Sequence, residues 1–563
     1  MNRAALLSAI LLVFAGCSRR PDRTAGDEVS VRFTRCGAVV DGHGQAVDHV
    51  AVRQGTAEQG VRLDHLSPSR VLLSFDWTPK LAYGFLVKTK AGETVERNAV
   101  APVSPGPEVI STLRLEDIVS TGGASMGGTA DTELRFSPDG KQLAVGSYLG
   151  YLRLVDVLTG AVLHEKRICE GLIKCLCFSR DGKILFIGEQ SPDAFVYAMD
   201  VETKKIKWRF RLADDLETYA RKEEDRFGLF KLPGVYRMRI AEDGDVIVAG
   251  LHSWPKETGG KTVHVNRSRL YRLDPATGKP RWRFPKEGVL PANIVWFDAD
   301  AAGRRVVLAV EKSSAEEIES PLTPDSIHFI NGQTGEVIGR FTPQPMTPHF
   351  KRVLLWRSAG LSRDGRHASL GCFDGRAFFF EFPETPGEVK PTWTKDLGTP
   401  VVVSGVPLSA PVSYSYIWAE TVYFVVTGTV IPQGSRSASQ AVPSPHPNTN
   451  SVFALDFAGN LKWKWHTDGA AQAMSSTPDG RYVTITTADN WLTQATDTFG
   501  FALFDTRRPG GGLEKLVYEF RTAGPVFAES DISADGRFIA VAETPKELPD
   551  KTIAGAYRVH IVQ

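Results

Sequence analysis

Short apolar runs alternate with turn residues along most of this 563-residue chain. Representative pairs of runs are 142–146 with 151–157 and 481–487 with 500–505, and together they are rich in Val, Leu, Ile, Phe and Thr. Runs of this length, bounded by Gly, Asp and Pro, are typical of β-strands. The pattern therefore predicts an all-β fold.

Two turn signatures alternate between these runs. The first is a Ser-x-Asp-Gly type turn, in which the Asp-Gly pair supplies the positive φ that a tight hairpin needs. The second is an apolar strand that ends in Asp and is often followed by Thr-Gly. Copies of the first signature lie at 137–140, 179–182, 241–244, 362–365, 477–480 and 533–536. Copies of the second signature begin at Asp156, Asp200, Asp274, Asp456 and Asp505.

The signatures recur every 40 to 60 residues or so, and a period of this size is typical of propellers and solenoids. Two degenerate copies, 294–340 and 414–463, fill the gaps between the six clear ones, so eight four-stranded units are expected. Clear copies start near Thr132, Lys174, Met238, Leu354, Met474 and Asp531. The last copy ends after its third strand, and a lone strand at 110–118 precedes the first. We predict that this strand completes the last unit and closes an eight-bladed β-propeller over 110–563, which would remove exposed sheet edges.

The segment from Tyr271 to Trp282 carries the repeat Leu-x-Asp-x-x-Thr-Gly-x-x-x-Trp in full. It resembles the repeat of quinoprotein-type eight-bladed propellers, with Ser-Pro-Asp-Gly turns similar to those of WD repeats. Trp208 and Trp463 occupy related places after Asp200 and Asp456. Large flat rings at such positions are expected to pack between blades.

A smaller domain is expected before the propeller. Five strand-like runs between residues 28 and 103, separated by Gly, Asp and Pro, predict a small antiparallel β-sandwich of immunoglobulin or fibronectin type. Residues 104–109 are then expected to form a linker that its prolines keep extended.

The first 17 residues have the layout of an export signal: a basic start, a short apolar run from Ala4 to Phe14, and then Cys17. The run is too short to span a bilayer. The layout resembles a bacterial lipobox, which implies that Cys17 is lipidated and that 18–27 is a flexible tether. Ser18 is not the aspartate associated with retention in the inner membrane, so the resemblance implies anchoring in the outer membrane. The alternatives are a plain secreted protein, or a Cys17 that is simply a core cysteine.

Composition and charge fit a soluble folded body. Lys plus Arg number 66 against 65 acidic residues, so no global positive field would attract nucleic acid. Five cysteines remain beside Cys17, and an odd number cannot all pair. They are expected to be buried free thiols. These are Cys36, Cys169, Cys175, Cys177 and Cys372.

Long insertions, among them 253–266, fall on one predicted face of the propeller, where the second strand of a blade connects to the third and each blade connects to the next. Loops of this kind hold binding residues more often than the strands of the scaffold do. The hairpin turns of the opposite face are expected to be short wherever the signature is intact. Arg, Trp and Tyr are common interface anchors. The candidate binding residues are Tyr219, Arg221, Arg226, Phe227, Phe230, His252, Trp254 and Trp491. Each could instead have a structural role, such as sealing a loop.

The sequence contains no motif for zinc hydrolysis, a nucleophile elbow, a phosphate loop or covalent haem. It also lacks the adjacent cysteine pair that the resemblance to quinone dehydrogenases implies. We predict no catalytic residue, cofactor or metal, and a lipid-anchored cell-envelope protein that uses the loop-rich face to bind a protein or peptide in a scaffold or assembly role. Two alternatives stay open: a periplasmic quinoprotein-like oxidoreductase, and a binder of glycans or surface polymers.

Overall fold

The computed structural model describes residues 29–116, 132–216, 232–312, 325–432, 442, 444–489, 497–527 and 530–563. The fold is all-β, with 55% of residues in strands and 2% in helices. The chain divides into two compact units, residues 1–33 with 37–101, and residues 34–36 with 102–563. Neither of the described helices has the length and apolarity that a membrane crossing requires.

The first unit consists of two four-stranded antiparallel sheets with orders β1-β2-β6-β5 and β4-β3-β7-β8. Its strands are β1 (Ser30–Thr34), β2 (Gly37–Asp41), β3 (Val47–Gln54), β4 (Ala57–Glu58), β5 (Arg62–Ser67), β6 (Arg70–Ser74), β7 (Ala82–Thr89) and β8 (Thr94–Val100). One buried cluster, including Val40, Val52, Leu73 and Phe85, takes residues from both sheets. The sequence pattern predicts five strands here, and β2, β4 and β8 are additional.

The second unit holds strands β9 to β45 and two helices of one turn. The strands before residue 290 are β9 (Val109–Arg114), β10 (Glu133–Phe136), β11 (Gln142–Gly146), β12 (Tyr151–Asp156), β13 (Val162–Arg167), β14 (Leu172–Phe178), β15 (Ile184–Gln190), β16 (Phe195–Asp200), β17 (Ile206–Arg211), β18 (Gly234–Ile240), β19 (Val246–Thr258), β20 (Lys261–Leu273) and β21 (Pro280–Phe284), with helix α1 (Ala213–Leu216) after β17.

The strands between 290 and 430 are β22 (Ala292–Ala299), β23 (Arg305–Lys312), β24 (Ser326–Asn331), β25 (Val337–Phe341), β26 (Leu355–Leu361), β27 (His367–Cys372), β28 (Arg376–Glu381), β29 (Gly387–Glu388), β30 (Trp393–Asp396), β31 (Val401–Val403), β32 (Val406–Leu408), β33 (Val412–Trp418) and β34 (Thr421–Val426). The remainder are β35 (Ser451–Leu455), β36 (Leu461–His466), β37 (Ala470–Ser476), β38 (Tyr482–Ala488), β39 (Gly500–Asp505), β40 (Leu516–Arg521), β41 (Asp531–Ile532), β42 (Ile539–Glu543), β43 (Lys546–Glu547), β44 (Ile553–Ala554) and β45 (Arg558–Val562), with helix α2 (Gly512–Lys515) before β40.

Most of these strands form consecutive antiparallel groups of four, numbered here in chain order. Groups 1 to 4 are β10–β13, β14–β17, β18–β21 and β22–β25. Groups 5 to 8 are β26-β27-β28-β30, β33–β36, β37–β40 and β41-β42-β45-β9. The first strands contact one another in order from group 1 to group 8, and β41 contacts β10. In group 8, β9 pairs with β45, with Arg114 opposite Arg558, so the strand expected at 110–118 is present as Val109–Arg114.

Buried apolar clusters fill the seams between consecutive groups. One cluster joins Phe186 of group 2 to Met238 of group 3, and another joins Phe329 of group 4 to Phe380 of group 5. Further clusters occupy the other seams from group 1 to group 8. Each group is therefore held through its neighbours rather than by a single central core.

Each group has two different ends. At the turn end, hairpins join the first strand to the second and, in groups 1 to 7, the third to the fourth. At the link end, the second strand connects to the third and the chain passes to the next group. The predicted insertion at 253–266 is a paired extension of β19 and β20 rather than an irregular loop. Two turn-end connections, which contain β29 in group 5 and α2 in group 7, are longer than the predicted short hairpins.

Candidate functional site

The turn end is a set of repeated, closed hydrogen-bond units. In the first signature, the Ser179 hydroxyl donates to Asp181 Oδ1 at 2.7 Å and accepts from the Ile184 N–H at 2.9 Å. The Lys183 N–H also donates to Asp181. The hydrogen bonds from Ser179 and Lys183 lower the pKa of Asp181. The same arrangement occurs at Ser137, Ser362, Thr477 and Ser533.

The second signature closes in a similar way. Asp274 Oδ1 accepts both from the Thr277 N–H and from its hydroxyl, each at 2.9 Å. Asn331 takes the place of Asp in the degenerate fourth copy and accepts from the Thr334 N–H. Polar groups at this end therefore satisfy one another locally, which favours a structural role.

The predicted inter-blade tryptophans join this end of one group to the next. Trp208 of group 2 donates its indole N–H to the Pro275 carbonyl of group 3 at 2.9 Å. Trp282 makes the same bond to the Gly332 carbonyl of group 4 at 2.8 Å. Trp463 stacks on Phe504 of group 7, with ring centroids 5.4 Å apart. These rings pack in the seams, as the repeat predicts.

The link end differs because the first strands of groups 2 to 7 are all irregular there. Each has a register shift against its second strand within the first four residue pairs. Such a bulge leaves an extra residue on one strand and changes the direction of nearby side chains. The extra residues include Lys174, Tyr236 and Arg357.

Cationic and aromatic side chains meet at these bulges. The Arg237 guanidinium carbon lies 3.3 Å from the centroid of the Trp296 ring, and that of Arg357 lies 6.0 Å from it. Lys174 Nζ lies 5.2 Å from the Tyr236 ring centroid. We call these five residues, from groups 2 to 5, the bulge tier. Stacking on an aromatic face stabilises a cation and limits its freedom to move.

A carboxyl group lies next to the bulge of group 4. Glu311 is paired in register with Asn293, at the start of the first strand. Burial, together with the charge of Asp325, raises the pKa of Glu311 to about 7, although Arg352 acts in the opposite direction. Arg352 donates to Asp325 at 3.1 Å. The link end therefore contains a carboxyl group that titrates near neutral pH.

Two of the residues proposed from the sequence as a binding face lie within the described part of the chain. His252 is 2% exposed, and its Nδ1 lies 3.0 Å from the Leu216 carbonyl oxygen. Its ring lies 4.4 Å from the half-buried Trp254 ring, centroid to centroid. His252 therefore lies within the base of the β19–β20 hairpin instead of on an open surface. The remaining predicted positions fall outside the described residues: Tyr219, Arg221, Arg226, Phe227, Phe230, Trp491 and Cys17.

The bulge tier is not among the sites predicted from the sequence. Lys174 lies inside the apolar run Leu172–Phe178, and Arg237 and Arg357 lie in similar strands. A basic residue within a mostly apolar first strand is the available signal, since a buried charge needs a specific environment. Alternation of apolar and polar residues does not indicate the bulges that bring these residues together.

The five described cysteines are free, and Cys175 and Cys372 are buried. The thiols of Cys175 and Cys177 face the carbonyls of Val235 and Met238 on the neighbouring group. Burial raises the pKa of the Cys175 thiol. Over the described ranges, His, Cys, Asp and Glu side chains form no group of three suited to a metal ion.

No family model matches the sequence. The structure is similar to the quinohemoprotein alcohol dehydrogenase from Comamonas testosteroni, with a TM-score of 0.50 and 13% identity over 81% of this chain and 76% of that chain. It is also similar to the C-terminal WD40 domain of Sif2, with a TM-score of 0.47 and 13% identity over 81% of this chain and 98% of that domain. An uncharacterized WD repeat-containing protein of Synechocystis sp. is 29% identical over 123 residues, which are 22% of this chain and 30% of that protein. The chain has a β-propeller fold of the type found in WD40 and quinoprotein domains.

Proposed function

We propose that this protein is a binding module of the cell envelope that holds a protein or peptide partner at the link end of its propeller, without catalysing a reaction. The bulge tier carries the proposal. Its cationic and aromatic side chains lie at the same end as the connections between groups, where chain length varies most. Arg, Trp and Tyr in mostly desolvated positions are typical anchors of protein interfaces.

Exposed apolar side chains at the link end support the same proposal. Val402, on the β31–β32 hairpin between groups 5 and 6, is 72% exposed, and Leu149 and Ile553 at other link-end connections are also exposed. Cationic, aromatic and apolar groups at one end together suit a polypeptide partner better than a uniformly polar ligand.

The proposed architecture is a closed eight-bladed propeller preceded by an immunoglobulin-like sandwich. The propeller is supported by the eight four-stranded groups and by the pairing of β9 with β45. The sandwich is supported by the strand orders β1-β2-β6-β5 and β4-β3-β7-β8, which match the immunoglobulin arrangement. Tyr83, near the start of β7, accepts a hydrogen bond from the Thr78 N–H at 2.8 Å, as in the tyrosine corner of such domains.

The proposed location is the outer membrane, through a lipid on Cys17. The support is the sequence of the first 17 residues. In cells fed a radiolabelled fatty acid, the protein should be labelled and sediment with outer membranes, whereas Cys17→Ser should do neither. Labelling of the variant would contradict the proposal.

Site-specific photocrosslinking tests the binding function. A photoreactive residue at Val402 samples the link end, and one at Lys183, whose side chain is 80% exposed on a Ser-x-Asp-Gly turn, samples the turn end. In intact cells, the 402 position should yield a discrete crosslinked protein and the 183 position should not. Crosslinks from 183 alone, or equally from both positions, would contradict the proposal.

A second measurement distinguishes the binding function from the oxidoreductase alternative. The purified protein should carry neither quinone absorbance nor stoichiometric calcium if it is a binding module. One quinone and one calcium per chain would contradict the binding function and support the oxidoreductase alternative.

A further inference from the structure

A hydroxyl, an imidazole and a carboxylate follow one another across three strands of group 8. Thr112 lies on the outer strand β9, opposite His560 on β45, and its Oγ1 lies 3.1 Å from His560 Nδ1. The other ring nitrogen, Nε2, lies 2.8 Å from Glu543 Oε2 at the end of β42. A hydroxyl next to a base that a third group orients is the arrangement of an activated nucleophile.

The carboxylate of Glu543 determines where the protons lie. Besides its contact with His560, Glu543 accepts hydrogen bonds from the Arg558 guanidinium and from two backbone N–H groups. Burial acts to raise the pKa of Glu543, but the hydrogen bonds from His560 and Arg558 hold it below its usual value. An ionised carboxylate can only accept a hydrogen bond, so Nε2 of the neutral imidazole carries the proton. Nδ1 therefore presents its lone pair to the Thr112 hydroxyl.

Group 2 shows which part of this arrangement is structural. Glu189 lies at the place of Glu543 when the two groups are aligned on their Ser-x-Asp-Gly turns. On the third strand, Tyr197 lies at the place of His560 and donates its hydroxyl to Glu189 at 2.8 Å. A donor to the buried carboxylate is thus common to both groups. A phenol has one polar atom, whereas an imidazole has two, and the second one in group 8 reaches the hydroxyl on the outer strand.

Access to solvent increases along the three residues. Glu543 is 0% exposed and His560 is 7% exposed, whereas Thr112 is exposed. The Phe520 ring packs edge-on against the imidazole, with ring centroids 5.5 Å apart. The base is therefore held in one orientation and shielded from water, while the residue that carries the hydroxyl is open to a reagent in solution.

We propose that Thr112 is a nucleophilic hydroxyl that accepts an acyl group from an activated carboxylic ester. The Thr112 oxygen forms a bond to the carbonyl carbon, and the bond between that carbon and the leaving oxygen breaks. His560 takes the hydroxyl proton at Nδ1 and passes it to the leaving oxygen, which departs as an alcohol. Glu543 stabilises the imidazolium that exists between these two transfers. The step ends at an ester on Thr112, so it is one transfer per chain, and it does not depend on binding at the link end.

Reaction of the full-length protein with p-nitrophenyl acetate tests this proposal. The protein should release about one nitrophenolate per chain in an initial burst. Peptide mass spectrometry should then find the acetyl group on Thr112. The burst should slow in acid, because a protonated imidazole cannot accept the hydroxyl proton. Acetylation of other residues without Thr112 would overturn the proposal.

Four variants separate the roles of the hydroxyl and the imidazole. Thr112→Val keeps the shape of the side chain and should abolish the burst, whereas Thr112→Ser should retain it. His560→Tyr reproduces the group 2 arrangement, so it keeps a donor to Glu543 but removes the base, and it should slow the burst about 10²–10⁴-fold. Ser111→Ala, on the opposite face of β9, should react as the wild type does.

Thermal unfolding checks that each variant is folded. Thr112→Val changes an exposed position, so it keeps the test valid if His560→Tyr does not fold. A burst of wild-type size in folded Thr112→Val would overturn the proposal. Acetylation of Thr112 at the wild-type rate in folded His560→Tyr would also overturn it, because the hydroxyl would then react without the imidazole.

Discussion

The turn end and the link end of the propeller use the same residue types for different purposes. At the turn end, Arg272 is 1% exposed and is bound by Asp243, Asp245 and the carbonyls of Gly303 and Gly332. At the link end, Arg237 is also buried, but it lies against the face of Trp296. At the turn end, the arginine forms ion pairs within its own group and hydrogen bonds to carbonyls of the next group. At the link end, the arginine is positioned by an aromatic ring of the next group.

The difference follows from connectivity. Turn-end hairpins bring Asp, Ser, Thr and Gly of one short segment together, so the polar groups pair within that segment. Link-end connections join distant strands, and the bulges direct inner-strand side chains away from regular pairing. Substitutions at the turn end should therefore act mainly on stability, and those at the link end mainly on binding.

The largest expected effect comes from Arg272→Met. This change leaves the nearly buried Asp245 without one of its two arginines and removes donors from two carbonyls of group 4. Breaking a buried ion pair in this way costs about 3–5 kcal/mol. Urea unfolding followed by tryptophan fluorescence measures the loss.

Arg281→Met is the matched control for Arg272→Met. Arg281 also pairs with Asp245, at 2.8 Å, but half of its side chain is exposed. Solvent screens such pairs, so its loss should be far smaller. Equal losses of unfolding free energy from the two substitutions would mean that the buried contacts of Arg272 stabilise the turn end no more than the exposed pair of Arg281 does.

Gly278→Ala should produce the next largest effect. Gly278 has φ +70°, and a Cβ there would lie 2.4 Å from Trp208 Cε3 of the preceding group. A left-handed conformation costs an alanine about 1–2 kcal/mol, and forced contact with a packed ring adds about 1–3 kcal/mol. Lower freedom of the unfolded chain offsets about 0.5–1 kcal/mol, so the total expected loss of unfolding free energy is about 1.5–4 kcal/mol, measured by urea unfolding.

Gly288→Ala separates the two contributions at Gly278. Gly288, in the connection from group 3 to group 4 at the link end, has φ +64°, and a Cβ added there would meet nothing within 4 Å. It should lose only the backbone contribution, a net of about 0.5–1 kcal/mol after the same offset from the unfolded chain. If both glycine substitutions cost the same, the Trp208 contact does not hold the two groups together.

At the link end, Glu311 should make stability depend on pH. Its folded-state pKa, about 7, lies above the usual 4.5, so the unfolded chain releases this proton at lower pH. Unfolding free energy should therefore fall as pH rises from about 4.5 to 7. The contribution is about 2 kcal/mol, at roughly 1.4 kcal/mol per pKa unit with allowance for partial exposure.

Glu311→Gln should remove this part of the pH dependence, so that the variant is more stable than the wild type at about pH 8 and similar to it at about pH 4. Thermal unfolding across this range measures the difference. Glu287→Gln, at an exposed position, is the control and should follow the wild-type profile. A Glu311→Gln profile that parallels the wild type would exclude this group as the titrating one.

The two ends also differ in how far the sequence predicts them. The turn end follows from local chemistry, because Ser137, Asp139 and Gly140 lie within four residues and close one turn. Tryptophan packing at Trp282 follows from the same short repeat. The bulge tier depends on contacts among strands separated by many residues, such as Arg237 with Trp296, and alternation along one strand cannot reveal a register shift. His252 is a similar case, because its contact with the Leu216 carbonyl oxygen joins residues 36 positions apart in the chain.

The smallest expected effect is a gain in stability at the turn end of group 2. Lys204 has φ +62°, at the position where Gly160, Gly278 and Gly335 stand in the matching turns. Its N–H bonds the Asp200 carbonyl oxygen at 2.8 Å, as Gly278 does with Asp274. Lys204→Gly relieves about 1–2 kcal/mol of backbone strain and loses about 0.5–1 kcal/mol through greater freedom of the unfolded chain. Urea unfolding should show a net gain of about 0.5–1 kcal/mol. Lys204→Ala removes the same side chain but keeps the strain, so a gain in Ala equal to that in Gly would assign the effect to the lysine side chain instead of the turn.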